Sequence, residues 1–411
     1  MKSETRRGFS RGLESRAWLL LPGILCLLIN APAAERAAVP SSPYDKWAKG
    51  PPADPGFFPI AVWLQAPANA ERYRQAGFNT YVALWRGPTE EQLTALKKAG
   101  LRVICHQNEV GLRHRDDSTI IGWMHGDEPD NAQSLGQGKG YGPPVLPEKI
   151  AADYQKARSA DPSRPVLLNL GQGVAFDNYI GRGVRRNHPE DYPEYMKGCD
   201  LASFDIYPVN HDRTEVAGKL WFVAQGVERL TKWSGGEKVV WNCLECTRIG
   251  DVGRKPTPQQ VRCEAWMALI HGSRGLIYFV HQFKPTFREA ALLDDPEMLA
   301  AVTALNRQIS ELAPALNSPT ISDVATVRSE NSDAPVAIMV KRHQGATYLF
   351  AVGMRDGSTT ATFSLAGING EKVVEVLGEE RTIAFGAGAF NDRFGPWDVH
   401  LYRVAAGAGR R

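Results

Sequence analysis

Between residues 57 and 312, short apolar runs rich in β-branched and aromatic residues alternate with stretches whose apolar positions recur at helical spacing. Eight runs read as strands: 57–65, 79–85, 101–107, 120–128, 165–171, 201–209, 238–246 and 275–283. The helical stretches between them include 89–100, 147–162, 216–233 and 256–275. Thr89 followed by Glu90 and Glu91 suits a helix start, where carboxylates meet the positive end of the dipole, and Gly100 suits its stop. Strands that alternate with helices predict a parallel sheet covered by helices.

Eight strand–helix units in roughly 255 residues match a (β/α)8 TIM barrel, which puts any active site at the C-terminal strand ends. An open doubly wound sheet is the alternative, but no glycine-rich phosphate loop follows the first strand. The stretch from 171 to 200 is a long insertion after the fifth strand. Its Tyr179, Tyr192 and Tyr195 among several acids favour an ordered wall at the rim over a linker. After residue 317 the pattern becomes short alternating strands separated by Gly, Asp and Asn turns, which predicts a small all-β sandwich.

The first residues read differently. Basic residues 1–16, the apolar run AWLLLPGILCLLINA and the small residues of APAAER have the three-part build of an export signal, and Arg6-Arg7 resembles a twin-arginine motif. The expected organisation is a signal peptide over 1–36, a linker over 37–56, a catalytic barrel over 57–316 and an accessory sandwich over 317–411. Export implies a periplasmic or extracellular protein, with no stable membrane span once the signal is cleaved.

Composition narrows the classes. A net charge of +3 over 411 residues, with basic residues dispersed, leaves no nucleic-acid footprint. Without the leader's Cys26, the odd and sparse set Cys105, Cys199, Cys243, Cys246 and Cys263 is no disulfide framework. Cys243 and Cys246 would face opposite sides of a strand, so no metal site and no cofactor is expected.

The candidate chemistry is carboxylic. Glu128 closes the fourth run in Gly126-Asp127-Glu128-Pro129, where proline stops the ladder, and Glu245 closes the seventh in KVVWNCLEC. Two carboxyls from different strand ends meet the requirement for cleaving a glycosidic bond. The bland readings are a Glu128 that caps a helix or faces water and a Glu245 paired structurally with Arg248. Ser203, Asp205 and Tyr207 share one strand face, and the Tyr207 phenol is placed to hold Glu245 ionised; Asp205 also reads as a buried structural acid. Trp63 and Trp85 end the first two runs and suit stacking on sugar faces, while Asn169, His106, His281 and Gln282 fall near strand ends as hydroxyl ligands.

With these residues the chain resembles clan A (4/7 superfamily) glycoside hydrolases, and PTPQQVRCEAWMALIHGSRGLIYF resembles the last helix and strand of family 42-like members and unassigned relatives. The resemblance implies Glu128 as acid/base, Glu245 as nucleophile and a retaining mechanism on a carbohydrate substrate. Two positions depart from it: Asp127 stands where Asn is usual, and His281 and Gln282 stand where a tryptophan is usual. The competing expectation is a non-catalytic carbohydrate-binding barrel. Oligomeric state is not legible in the pattern.

Overall fold

A computed structural model describes residues 42–250, 253–368 and 370–405. The expected signal peptide lies outside the described residues; among these, no helix is long and apolar enough to cross a membrane. The staves of a barrel follow in chain order: β1 (Ile60–Trp63), β2 (Thr80–Val82), β3 (Arg102–His106), β4 (Ile120–Met124), β5 (Val166–Leu170) and β6 (Leu201–Phe204). The seventh stave comes in two pieces, β7 (Val239–Val240) and β8 (Asn242–Glu245), and the eighth is β9 (Leu276–Phe279). All pairings are parallel, and β1 pairs with β9, which closes the ring. One irregularity matters below. The ladder from β6 reaches only β7, while β8 pairs only with β9, so the upper seventh stave has no strand partner on its β6 side.

Eight helices intervene: α1 (Ala70–Gln75), α2 (Glu90–Lys98), α3 (Glu109–Arg113), α4 (Pro147–Ala160), α5 (Tyr192–Tyr195), α6 (Trp221–Trp233), α7 (Pro258–Ile270) and α8 (Pro296–Leu316). Thr89 with Gln92 and Thr257 with Gln260 form reciprocal capping boxes that satisfy the first N–H groups of α2 and α7. Gly100 follows α2 at φ +69°, a left-handed turn that glycine adopts without strain.

Strand alternation divides the core. Ala61, Ile104, Leu167, Leu201, Trp241 and Ile277 fill the barrel, while Val62, Val103, Leu168, Ala202 and Val240 meet the helices. The expected linker is corrected in its described part. Tyr44 and Trp47 are buried with the barrel-interior cluster, the Tyr44 hydroxyl donates to Arg274 O at 2.8 Å and accepts from Trp241 Nε1 at 2.9 Å. Burying two aromatics turns this segment into a plug at the N-terminal end of the barrel.

The C-terminal sandwich packs a three-stranded sheet against a five-stranded one. The first runs β10 (Ala325–Ser329), β13 (Thr359–Leu365), β16 (Ala389–Phe394); the second runs β11 (Val336–His343), β12 (Ala346–Gly353), β17 (Val399–Val404), β14 (Lys372–Val376), β15 (Arg381–Phe385). Along β12, Leu349 and Ala351 join the sandwich core, whereas Phe350 and Val352 turn to the barrel, where Phe350 meets Trp266 of α7 with ring centroids 5.1 Å apart. Both faces of that strand are apolar because both are covered.

Candidate active site

Two carboxyls meet one amide at the C-terminal strand ends, and a third stands beside them. Asn169, near the end of β5, is buried; its Nδ2 donates to Asp127 Oδ1 and to Asp205 Oδ1, each at 2.9 Å. The two acceptor oxygens therefore lie at most 5.8 Å apart, the sum of those distances. Ser203 Oγ donates to Asn169 Oδ1 at 2.7 Å, which orients the amide with both N–H groups toward the acids. Tyr207 donates to Asp205 Oδ2 at 2.7 Å, so Ser203, Asp205 and Tyr207 act from one face, as their alternation predicts.

Glu128 sits beside this network at φ +41°, a left-handed conformation that costs a non-glycine residue energy and is common where a site dictates the backbone. Its N–H still bonds Asn169 O at 3.1 Å, extending the ladder as the chain turns, and Asn131 Nδ2 donates to its Oε2 at 2.9 Å. Asp130 faces away from the cleft: it takes Gly171 N–H at 2.8 Å and the Tyr192 hydroxyl at 3.0 Å, tying the fourth connection to the 171–200 insertion. Tyr192 also stacks on Trp233 at 4.8 Å, so the insertion forms an ordered wall.

The acids are pushed apart in proton affinity. Burial raises Asp205, while hydrogen bonds from Tyr207 and Asn169 hold it back. Asp127 keeps solvent contact in the cleft, yet the walls around it and then the Asp205 charge push it up to about 7. Glu128 rises well above the ordinary carboxylate range through burial, then through the charges of Asp205 and Asp127. Burial raises all three, and the Asp205 charge adds to the rise of Asp127 and Glu128, an unequal field of the kind that acid–base chemistry uses.

Two cavities flank the cluster. A lobe of about 630 Å³ includes Trp63, Trp85, Phe279, His281, Phe283 and Phe287, with Asp127 in its lining. A polar lobe of about 490 Å³ includes Gln172, Tyr179, Asn210, His211 and Arg213, with Tyr207 in its lining. They meet where Tyr207 packs on Phe279, ring centroids 5.2 Å apart.

Solved structures share this architecture. The α-amylase of Geobacillus thermoleovorans in its acarbose complex matches with a TM-score of 0.52 at 10% identity, over 85% of this chain and 99% of that one. AmyP in complex with maltotriose gives 0.54 at 10%, over 85% and 97%. A noncanonic maltogenic α-amylase, AmyB from Thermotoga neapolitana, gives 0.50 at 11%, over 84% and 98%. At these identities the likeness is one of fold. No protein-family model and no curated protein matches the chain.

The expected residues divide. Glu128, Asp127, Asp205, Tyr207 and Asn169 come together; Trp63 and Trp85 share the aromatic lobe with His281, Trp63 buried and Trp85 67% exposed. Glu245 is the main correction. It is fully buried, and its carboxylate accepts Val209 N–H at 2.6 Å, Asn210 N–H at 2.9 Å and Asn210 Nδ2, beside the equally buried Glu264 of α7. Burial raises it, the loop's donors hold it back, and the balance leaves it at about 7. It supplies bonds that a strand would otherwise make on the open side of β8. The expected pairing of Tyr207 with Glu245 is likewise replaced by Tyr207 with Asp205. His106 ends β3 half-buried and lines neither lobe. Gln282 is drawn into a hairpin with Arg288, its amide donating to Thr286 O at 3.3 Å.

Sequence reasoning missed Asn131 as a Glu128 ligand and Phe283 and Phe287 as walls. Asn131 follows Glu128 by three residues across a proline turn, a usable signal; Phe283 closes the expected eighth run but the strand ends at Phe279, and Phe287 lies past that run, where periodicity says nothing.

Proposed function

We propose that this protein is an exported glycoside hydrolase in which Glu128 is the acid/base and Asp205 the anionic partner. The observation that carries this is the amide of Asn169 holding Asp127 and Asp205 within 5.8 Å beside Glu128. Three acids crowded into one cleft cost stability through repulsion and burial, which binding alone does not require. Acids at strand ends between two cavities suit a reaction at a bond spanning both.

In the proposed first step the Glu128 proton passes to the glycosidic oxygen, the C1–O bond breaks, and an Asp205 oxygen bonds C1 as a glycosyl ester. Water then gives a proton to the Glu128 carboxylate and its oxygen to C1, releasing Asp205. Retention requires the Glu128 and Asp205 carboxyls roughly 5–5.5 Å apart, whereas inversion leaves roughly 6.5–9.5 Å for a water, so the product anomer decides between the two. The leader-like residues 1–36 support export, which N-terminal sequencing of the mature protein checks.

The test is turnover on a glycoside panel with product anomers read by NMR. Glu128→Gln should lower kcat by about 10²–10⁴ and Asp205→Asn at least as much; Glu245→Gln should leave chemistry largely intact. Activity retained by Asp205→Asn and lost by Glu245→Gln would restore the clan A assignment of the nucleophile.

A further inference from the structure

The two lobes offer a ligand unequal chemistry. In the aromatic lobe most polar side chains are already spent on the protein. Gln65 is saturated: Tyr73 donates to its Oε1 at 2.6 Å, and its Nε2 donates to Glu289 O at 2.8 Å. Gln92 accepts Thr89 N–H at 3.0 Å and donates to Trp85 O at 3.0 Å, completing the cap of α2. Glu289 gives one oxygen to Ala66 N–H at 2.7 Å. His281 Nε2 lies 3.2 Å from Leu64 O, and its Nδ1, without a partner among the described residues, is itself enclosed. What the lobe presents is ring faces. His281 and Phe283 lie nearly parallel, 8° apart at 6.2 Å, Phe287 stands 5.8 Å from Phe283, and Trp85 in the same lobe is 67% exposed.

The polar lobe also has apolar walls, Phe176, Ile180 and Ile249, but leaves more of its polar groups free. Among the described residues the Tyr179 hydroxyl and the Arg213 guanidinium have no hydrogen-bond partner. Gln172 uses only its oxygen, on His211 Nε2 at 2.7 Å. Donors and acceptors remain free there for hydroxyls.

A sugar bound in the aromatic lobe would find only the free oxygens of Asp127 and Glu289, leaving most of its hydroxyls desolvated without a partner, which is costly; a planar apolar group would not. The geometry points to a leaving group that is aryl or otherwise planar and apolar, seated in the aromatic lobe, with the glycone in the polar lobe. This rests on the glycosidase reading and narrows its substrate to glycosides of a hydrophobic aglycone.

The experiment compares benzyl and methyl glycosides of the same sugar, whose leaving alcohols are of similar acidity, so that the ratio of kcat/KM reports apolar contact rather than leaving-group chemistry. The benzyl compound should be favoured at least roughly tenfold, the scale of burying one phenyl ring. Trp85→Ala combined with Phe287→Ala should bring the ratio near one. A ratio near one in the unaltered protein, or a high ratio that survives in the double variant, overturns the aglycone assignment while leaving the glycosidase reading in place. If no glycoside is cleaved, that reading fails instead, and benzyl alcohol binding, followed by tryptophan fluorescence, still decides the lobe. Saturable binding weakened at least tenfold in the double variant supports it, and no saturable binding refutes it.

Discussion

Replacing Asp205 by Asn should lower the proton affinity of Asp127 measurably. Their nearest oxygens are at most 5.8 Å apart because both accept from Asn169 Nδ2. At an effective dielectric constant near 20, two unit charges at that distance interact by about 2.9 kcal/mol, or about 2 pH units. Asp127 keeps solvent contact, and screening about halves the effect, so a fall of roughly 1 to 2 pH units is expected from its value of about 7. Removing the anion favours ionisation of what remains, so both Asp127 and Glu128 move down. The measurement is a ¹³C NMR titration of carboxyl-labelled protein from pH 4 to 9, read as apparent values of the coupled group. It needs no substrate, and it separates a charge effect from misfolding, since Asn keeps the shape of Asp and its one amide oxygen can still accept from Asn169 while its N–H group faces the Tyr207 hydroxyl as donor. An Asp127 titration within about 0.3 pH units of the unaltered protein would show that these acids do not share one field.

Three further outcomes are expected. Glu245 and Glu264 both titrate above the ordinary 4.5 because burial disfavours their charged forms, so the folded state keeps protons the unfolded chain has lost. Their stability contribution is complete below about pH 4.5 and declines as pH rises toward 7 and beyond; Glu264→Gln should spare about 1.4 kcal/mol per pH unit between pH 5 and 7, and parallel urea-unfolding midpoints at each pH would contradict this. Trp47→Ala should cost about 3–5 kcal/mol in urea unfolding, since the residue fills the barrel end; a cost below about 1 would mean the plug is dispensable. Asn169→Leu should lower kcat while removing the amide from both acids, and an unchanged kcat with intact stability would remove Asn169 from the site.

What was readable in the chain follows from how local each signal is. The eight staves were legible because strands buried on both faces leave near-continuous apolar runs, and the Ser203, Asp205, Tyr207 face was legible because alternation holds within one unbroken segment. Tyr44 and Trp47 were not, since their partners Arg274 and Trp241 lie about two hundred positions away and a Pro- and Ser-rich context reads as linker. Glu245 failed for a subtler reason. Counting along 238–246 assumes one ladder on both sides, but the pairing with β6 stops at Val240, so the residues above it answer to the loop after β6 and to α7. A carboxylate there gains two backbone donors and a neighbouring acid that keeps its proton, enough to hold it in protein rather than in the cleft. On the proposed reading the second acid is Asp205, just past the sixth strand, in place of the expected Glu245. Asp205 passed for a structural group because it is one: Asn169 and Tyr207 fix its position, and the same two hydrogen bonds oppose the rise that burial gives its proton affinity. A buried hydrogen-bond network and a poised carboxylate are the same arrangement here, and only the neighbouring acid distinguishes one from the other.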